Sequence, residues 1–417
     1  MKFEKIKIIN ICDRIILFSI YAVVLFLPIS KGIIETFSYI AISFFIIKKC
    51  IERKDIAIGR YLDLTIIIYV VICLFSVFIS INPKISIRSF LGKVMQDVFF
   101  FLVIIDTLNN ERRIRNAIYI LFFSSFVLGV DGVYQHFTRK DFLRHRSDLG
   151  IPRIYASFVT PNGFGCYLIT IIPFLIVTFF AKLRTKIFKF AIVGLFLLLF
   201  TCLILSVSRG AWLGFVASVL FLGIWLPSTA AIFIILALLL LVTRPFFQPL
   251  IKDRLSNLFN FFGPEFLTDA GSLERKIFWR AGWRMFLSSP IIGVGVGTFM
   301  FNYKKFLTED YPFGPFYAHN CYLQMAAEIG VIGLSSFLLI LLLFYLHGIR
   351  SLNSKNAPKT YSWYILLGSL AAILGYCVQM GVDTFLYSVD LGLLFWLILG
   401  IGMAAANTAS NHQTANQ

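Results

Sequence analysis

Residues 191–214, AIVGLFLLLFTCLILSVSRGAWLG, decide the fold. Up to Leu205 the stretch carries no charge. It has no single apolar face, so it must meet lipid or protein on every side. A second run of the same kind, AIFIILALLLLV, occupies 231–242. About 20 apolar residues cross a hydrocarbon core about 30 Å thick, and without water there the backbone satisfies its own hydrogen bonds as helix. Of the 417 residues, 59% are hydrophobic and 14% charged, against about 25% charged in a soluble domain. The alternation of a membrane β-barrel is missing. The predicted fold class is all-α: a polytopic membrane helix bundle of about 12 transmembrane helices, with one large periplasmic loop containing amphipathic helices.

The spans are expected at roughly 11–30, 32–47, 62–81, 88–106, 115–135, 157–180, 188–207, 210–226, 229–243, 319–346, 361–380 and 384–403. Grouped, residues 1–243 hold spans one to nine and 244–318 a periplasmic loop with an interfacial helix. Residues 319–403 hold the last three spans, and 404–417 a disordered cytoplasmic tail. The first apolar stretch lacks a small-residue cleavage site and reads as a retained helix. The basic segments KKCIERK (48–54), NERRIR (110–115) and KLRTKIFK (182–189) all fall on one side. The positive-inside rule makes that side cytoplasmic in a multi-pass arrangement. Within 88–106, Lys93 and Asp97 are four apart on one helical face and are expected to pair inside the bundle.

The formal net charge of +17 raises a nucleic-acid partner, but membrane spans break up the basic residues. The anion they meet is expected to be a lipid phosphate or a phosphate-bearing substrate. The 7 cysteines show no metal or redox spacing and read as buried small hydrophobes. No cofactor motif and no metal-ligand motif is present. GVGVG at 293–297 follows no strand and lies in no βαβ unit, so it reads as a flexible turn, not a nucleotide loop.

Three constellations on the predicted outer face carry chemistry. Arg209, in SVSRGAWLG (206–214), sits between two apolar spans in a tight turn with Gly210. Arginine near hydrocarbon is costly unless paired; a phosphate would pair with it in bidentate fashion, and snorkelling to headgroups is the alternative. SLERKIFWRAGWRMFLS (272–288) reads as an amphipathic interfacial helix with Ser272 as N-cap. Its Arg275 could stand beside a lipid-linked phosphate, and Lys276, Arg280 and Arg284 form a basic stripe. His319 opens the tenth span at the water boundary, where an imidazole can act as general base near neutral pH. Asn320, Gln324 and Glu328 follow it as a polar stripe facing the bundle interior.

These segments together resemble the O-antigen ligase and polymerase superfamily of bacterial inner-membrane glycosyltransferases. The resemblance rests on RIYASFVTPNGFGCYL (153–168), SRGAWLG (208–214), Arg275 with Trp279 and Ala281 running into Pro290 and GVGVGTF, and HNCYLQMAAEIGVIGL (319–334). It implies an inverting, metal-independent transfer of a glycan from undecaprenyl diphosphate, in the ligases to a sugar hydroxyl of lipid A core. By position it implies that Arg209 and Arg275 grip the donor diphosphate and His319 takes the acceptor proton. Arg153, Arg280 and Asn320 become substrate-binding candidates. The expected partners are the lipid-linked donor, the lipid A core acceptor and membrane lipids, with no nucleic acid and no cofactor. Two alternatives stay open: a repeat-unit polymerase using the same donor, and a small-anion transporter, for which Glu328 and the Lys93–Asp97 pair would be the relevant groups.

Overall fold

The structure is a computed structural model that describes residues 2–52, 60–145, 153–181, 185–226, 270–308, 316–354 and 359–414. Its elements are helices throughout: α1 (Lys2–Phe26), α2 (Lys31–Glu52), α3 (Arg60–Phe78), α4 (Pro83–Ser89), a π-helical segment (Phe90–Met95), α5 (Gln96–Thr107), α6 (Glu111–Thr138), α7 (Pro161–Phe180), α8 (Lys186–Ser206) and α9 (Arg209–Trp225). After these come α10 (Ala270–Ser288), α11 (Phe299–Asn302), a 3-10 turn (Tyr303–Phe306), α12 (Cys321–Leu352), α13 (Tyr361–Met380) and α14 (Val389–Thr414). Among the described residues, 7 helices are long and apolar enough to cross a membrane, and the apolar stretches Leu62–Phe78 and Arg209–Trp225 are shorter. The predicted span 229–243 and the loop segments 244–269 and 309–315 lie outside the described residues.

Sequence sets where the helices begin. Asn110, Thr160, Thr185, Ser208, Asn320 and Thr360 each stand at an N-cap, where the side chain accepts an otherwise orphaned backbone N–H. In a low-dielectric setting such caps matter more, because no water replaces the missing partner. The predicted cap at Ser272 is not used: α10 runs through it and starts at Ala270. The predicted tail also differs, since helix continues to Thr414. Ala404, Ala405 and Ala406 are buried, and an Ala-rich run both favours helix and packs closely.

The centre of the bundle is α7, α13 and α14, whose apolar windows are 83%, 78% and 94% buried, whereas those of α1 and α8 are only 39% and 33% buried and face outward. Helix α9 lies directly on α13. A Cβ on Gly214 would stand 2.5 Å from the Gly375 carbonyl oxygen, and one on Gly375 would stand 2.7 Å from that of Gly214. The two backbones therefore touch. Ser218 Oγ donates across the same contact to the Ala371 carbonyl at 2.8 Å. Small residues spaced four apart on both helices permit this approach where lipid supplies no hydrophobic drive.

The Lys93–Asp97 expectation is altered by geometry. The π-helical turn over Phe90–Met95 inserts an extra residue into the helix, and Lys93 Nζ donates to the Tyr387 carbonyl at 2.8 Å. Asp97 shares a cavity of about 60 Å³ with Lys93, Tyr69, Tyr387 and Glu328.

Candidate functional site

At one end of the bundle meet the start of α7, the α8–α9 turn, the start of α12 and the connection between α13 and α14. The turn after α8 is made by Val207, which takes the left-handed conformation (φ 48°). Ser208 then caps α9, so Arg209 is its first residue. Gly210 is not the turn residue predicted from sequence; a Cβ there would lie 2.7 Å from Val382 Cγ2 and 3.3 Å from Gln379 Cγ. Its bareness lets the Arg209 turn seat against the end of α13.

The centre of the site is a residue that the sequence reading passed over. Asp383, in the GVDTFLYS connection at 381–388, faces His319: Nδ1 and Oδ1 are 3.3 Å apart. The other carboxylate oxygen accepts from Asn162 Nδ2 at 3.1 Å, and Oδ1 also accepts from the Thr384 amide at 2.9 Å. Burial on its own would raise the Asp383 carboxyl. The hydrogen bond and charge of His319, the Thr384 amide and the charge of Arg275 outweigh it and hold the group below its ordinary value. An ionised Asp383 accepts from Nδ1–H in the tautomer whose lone pair is on Nε2. His319 itself sits at φ 50°, a sparsely populated conformation that surrounding contacts must hold. Phe278 of α10 packs at 6.0 Å from its ring, and Asn320 immediately caps α12 behind it.

The three residues predicted to carry the chemistry thus belong to one end of one bundle. Arg275 acts on the carboxylate that His319 touches, and the Arg209 turn packs on the residues just before it. The predicted binding residues divide. Arg153 directs Nε to the Ser206 carbonyl at 2.9 Å and Nη2 to Asn162 Oδ1 at 2.9 Å. It therefore ties the α8–α9 turn to the residue that holds Asp383. Asn320 commits Oδ1 to the Leu323 amide at 3.0 Å as helix cap. Arg280 is exposed, one turn beyond the half-buried Arg275.

The polar stripe after His319 runs inward as expected. Gln324 is buried and its Oε1 accepts from the Ala318 amide at 3.1 Å. Glu328, also buried, accepts from the amides of Gly297 and Phe299 at 2.8 and 3.0 Å. GVGVG is accordingly no flexible turn. It is clamped against α12, and its glycines at 293, 295 and 297 have φ values of 80°, 121° and 72°.

These observations define a multi-pass helical membrane protein with a His–carboxylate pair at one bundle end, under the influence of the Arg275 charge. Residues 194–338, which include Arg209, Arg275 and His319, match the family model of the O-antigen ligases, in agreement with the resemblance seen in the sequence. The match supports O-antigen ligase- or polymerase-type activity and, with it, a glycosyltransferase-like enzyme acting on lipid-linked glycan. No curated protein matches the chain.

Proposed function

We propose that this protein is an O-antigen ligase: it moves a glycan from undecaprenyl diphosphate to a sugar hydroxyl of lipid A core, at the periplasmic face of a bacterial inner membrane. The observation that carries the reading is the convergence on Asp383 of His319 and the Arg275 charge. In this scheme His319 Nε2 removes the acceptor hydroxyl proton while the acceptor oxygen bonds to the anomeric carbon. The bond from that carbon to the phosphate oxygen breaks on the opposite face, which inverts the configuration. The electron pair leaves with undecaprenyl diphosphate, whose growing charge Arg209 and Arg275 stabilise, so the step is metal-independent. Fixed cations aimed at developing charge lower such a barrier, and Asp383 holds the imidazole in the basic tautomer and stabilises its protonated form.

Arg153 and Asn162 serve this scheme by shaping the site, and Asn320 by fixing the start of α12. The transporter alternative gains little from Glu328, because its carboxylate is occupied by loop amides.

The test is reconstitution of the purified protein in vesicles with an undecaprenyl-diphosphate-linked glycan and either lipid A core or a second lipid-linked glycan as acceptor. Glycan on lipid A core supports the ligase. Elongated lipid-linked glycan alone would instead assign a polymerase, and uptake of a small anion without any transfer would assign a transporter.

A further inference from the structure

Helix α12 is broken at Gly330, whose φ of 69° and ψ of −176° take it out of helical conformation. In an intact helix the Val331 and Ile332 amides would donate to the carbonyls of Ala327 and Glu328, four residues back. Here the segment that follows α10 takes both sides of that exchange. Val331 N donates to the Pro290 carbonyl at 2.8 Å and Ile332 N to that of Ile291 at 3.4 Å. The vacated carbonyls of Ala327 and Glu328 accept from Val294 N at 3.0 Å and Gly295 N at 2.9 Å. The approach is so close that a Cβ on Gly293 would lie 2.3 Å from the Glu328 carbonyl, and one on Gly330 2.1 Å from the Ile291 oxygen.

The Glu328 side chain completes this joint. Oε2 accepts from Gly297 N at 2.8 Å, and Oε1 accepts from Phe299 N at 3.0 Å and from Gln324 Nε2 at 3.2 Å. A membrane-buried carboxylate with this many donors is satisfied where it stands. The chain it holds leads back into α10 and so to Arg275. The helix it belongs to leads up to His319. A small core of Phe278, Met285, Val294, Phe299, Tyr303, Ala318 and Ala327 fills the angle between them.

We propose that Glu328 is a positioning residue for transfer: through the amides of Gly297 and Phe299 it locks the arm carrying Arg275 onto the helix carrying His319, so that the leaving-group cation and the base keep one fixed separation. The proposal rests on the transfer reading above for its kinetic consequence, not for its geometry. A carboxylate offers only acceptors, whereas an amide presents NH₂ on one side. In Glu328→Gln, one of the two facing backbone N–H groups therefore meets a donor and is pushed away.

The kinetic test uses full-length protein in vesicles. Glu328→Gln should lower kcat on the order of tenfold to a hundredfold, the scale of a misplacement near 1 Å, with the donor KM changed less than about threefold. In a cycle with Arg275→Ala, the double variant should be scarcely slower than Arg275→Ala alone, because the lock acts through that arginine. If Glu328→Gln retains wild-type kcat, or if its loss adds in full to that of Arg275→Ala, the assignment is overturned. Should Glu328→Gln not insert, Glu328→Asp, which keeps the charge but retracts it by one methylene, takes its place in the same cycle. A second measurement is independent of catalysis. Spin labels at Trp283→Cys on α10 and Leu339→Cys on α12, both exposed positions, with exposed Cys50 replaced by serine, should give one narrow distance distribution that broadens in Glu328→Gln. If the wild-type protein transfers no glycan, the functional reading fails and this distribution alone decides; one that stays narrow in Glu328→Gln overturns the lock.

Discussion

The two ends of the bundle handle charge in opposite ways. At the end where α2 and α5 finish and α6 begins, the charges neutralise one another. Lys48 Nζ reaches Asp13 at 3.1 Å and Asp106 at 3.0 Å, Lys49 pairs with Asp106 and Glu52, and Arg113 pairs with Asp13. Three cations meet three carboxylates, and Arg113 also donates to the Thr107 carbonyl at 2.8 Å. At the His319 end one carboxylate is the focus: Asp383 draws on an imidazole, the Arg275 charge, an amide side chain and a backbone N–H at once. A closed network holds helices together. A carboxylate that gathers an imidazole and a guanidinium charge from separate segments fixes both in place, which suits a site that receives an anion. On the proposed function, the same residue types hold helices together at one end and act on substrate at the other.

The sharpest way to break this contrast is at the imidazole and the first guanidinium. His319→Ala and Arg209→Ala should each lower transfer by roughly 10²- to 10⁴-fold, the range lost with a general base or a charge-stabilising group, while membrane insertion stays normal; in-vesicle transfer assays set beside protein yield would show it. Asp383→Asn comes next. It keeps the shape but removes the charge that orients His319, and a loss of up to about 10⁴-fold is expected, because an amide there favours the wrong imidazole tautomer.

The pH response of Asp383 follows from the direction of its shift. A carboxyl held low in the folded protein contributes stability that is present above its unfolded value and is lost as pH falls through the folded one. Lowering the pH from 7 to about 5, still above the ordinary carboxylate value, should therefore leave Asp383 ionised. The stability difference between wild type and Asp383→Asn should then stay constant over that window in thermal melts. A difference that shrinks as the pH approaches 5 would show that Asp383 itself titrates there.

Arg275→Lys should cost about tenfold, since an ammonium keeps the charge but not the planar fork; full activity would reduce Arg275 to surface charge. The smallest effect on transfer belongs to the opposite end. Lys48→Ala should leave kcat and KM near wild type while lowering stability in detergent on the order of 2 kcal/mol, because Lys48 is nearly buried and its loss leaves two carboxylates short of a partner. A thermal melt and a transfer assay on the same preparation separate the two readouts. A large kinetic defect in Lys48→Ala would erase the distinction between the ends.

The long apolar runs made the helical membrane fold legible, and the N-cap residues marked many helix starts. Arg209, Arg275 and His319 could be singled out because guanidinium and imidazole groups at the predicted membrane boundary are chemically conspicuous. Asp383 escaped because one acid in a short connection looks like any solvated turn residue; what distinguishes it is three-dimensional, the arrival of Asn162 and His319 from distant segments. The signal was nonetheless present, since the connection opens on the same predicted face as His319 and holds a single carboxylate. GVGVG was misjudged for the opposite reason. Glycine repeats in sequence suggest looseness, and only the broken helix at Gly330 shows that these glycines let two backbones share hydrogen bonds. Arg153 and Asn320 looked like ligand-binding groups because their protein partners, Ser206, Asn162 and Leu323, are set by tertiary or cap geometry.

The bare contact between Gly214 and Gly375 has a consequence for how finely the site can be tuned. Arg209 begins one of the touching helices, and Asp383 follows closely on the end of the other. Their spacing is thus gauged by main chain against main chain, with no pliable side chain in between to absorb error. Such a gauge cannot be adjusted by small steps: a single methyl group at either glycine forces the helices apart and shifts the start of α9 relative to the Asp383 connection in one movement.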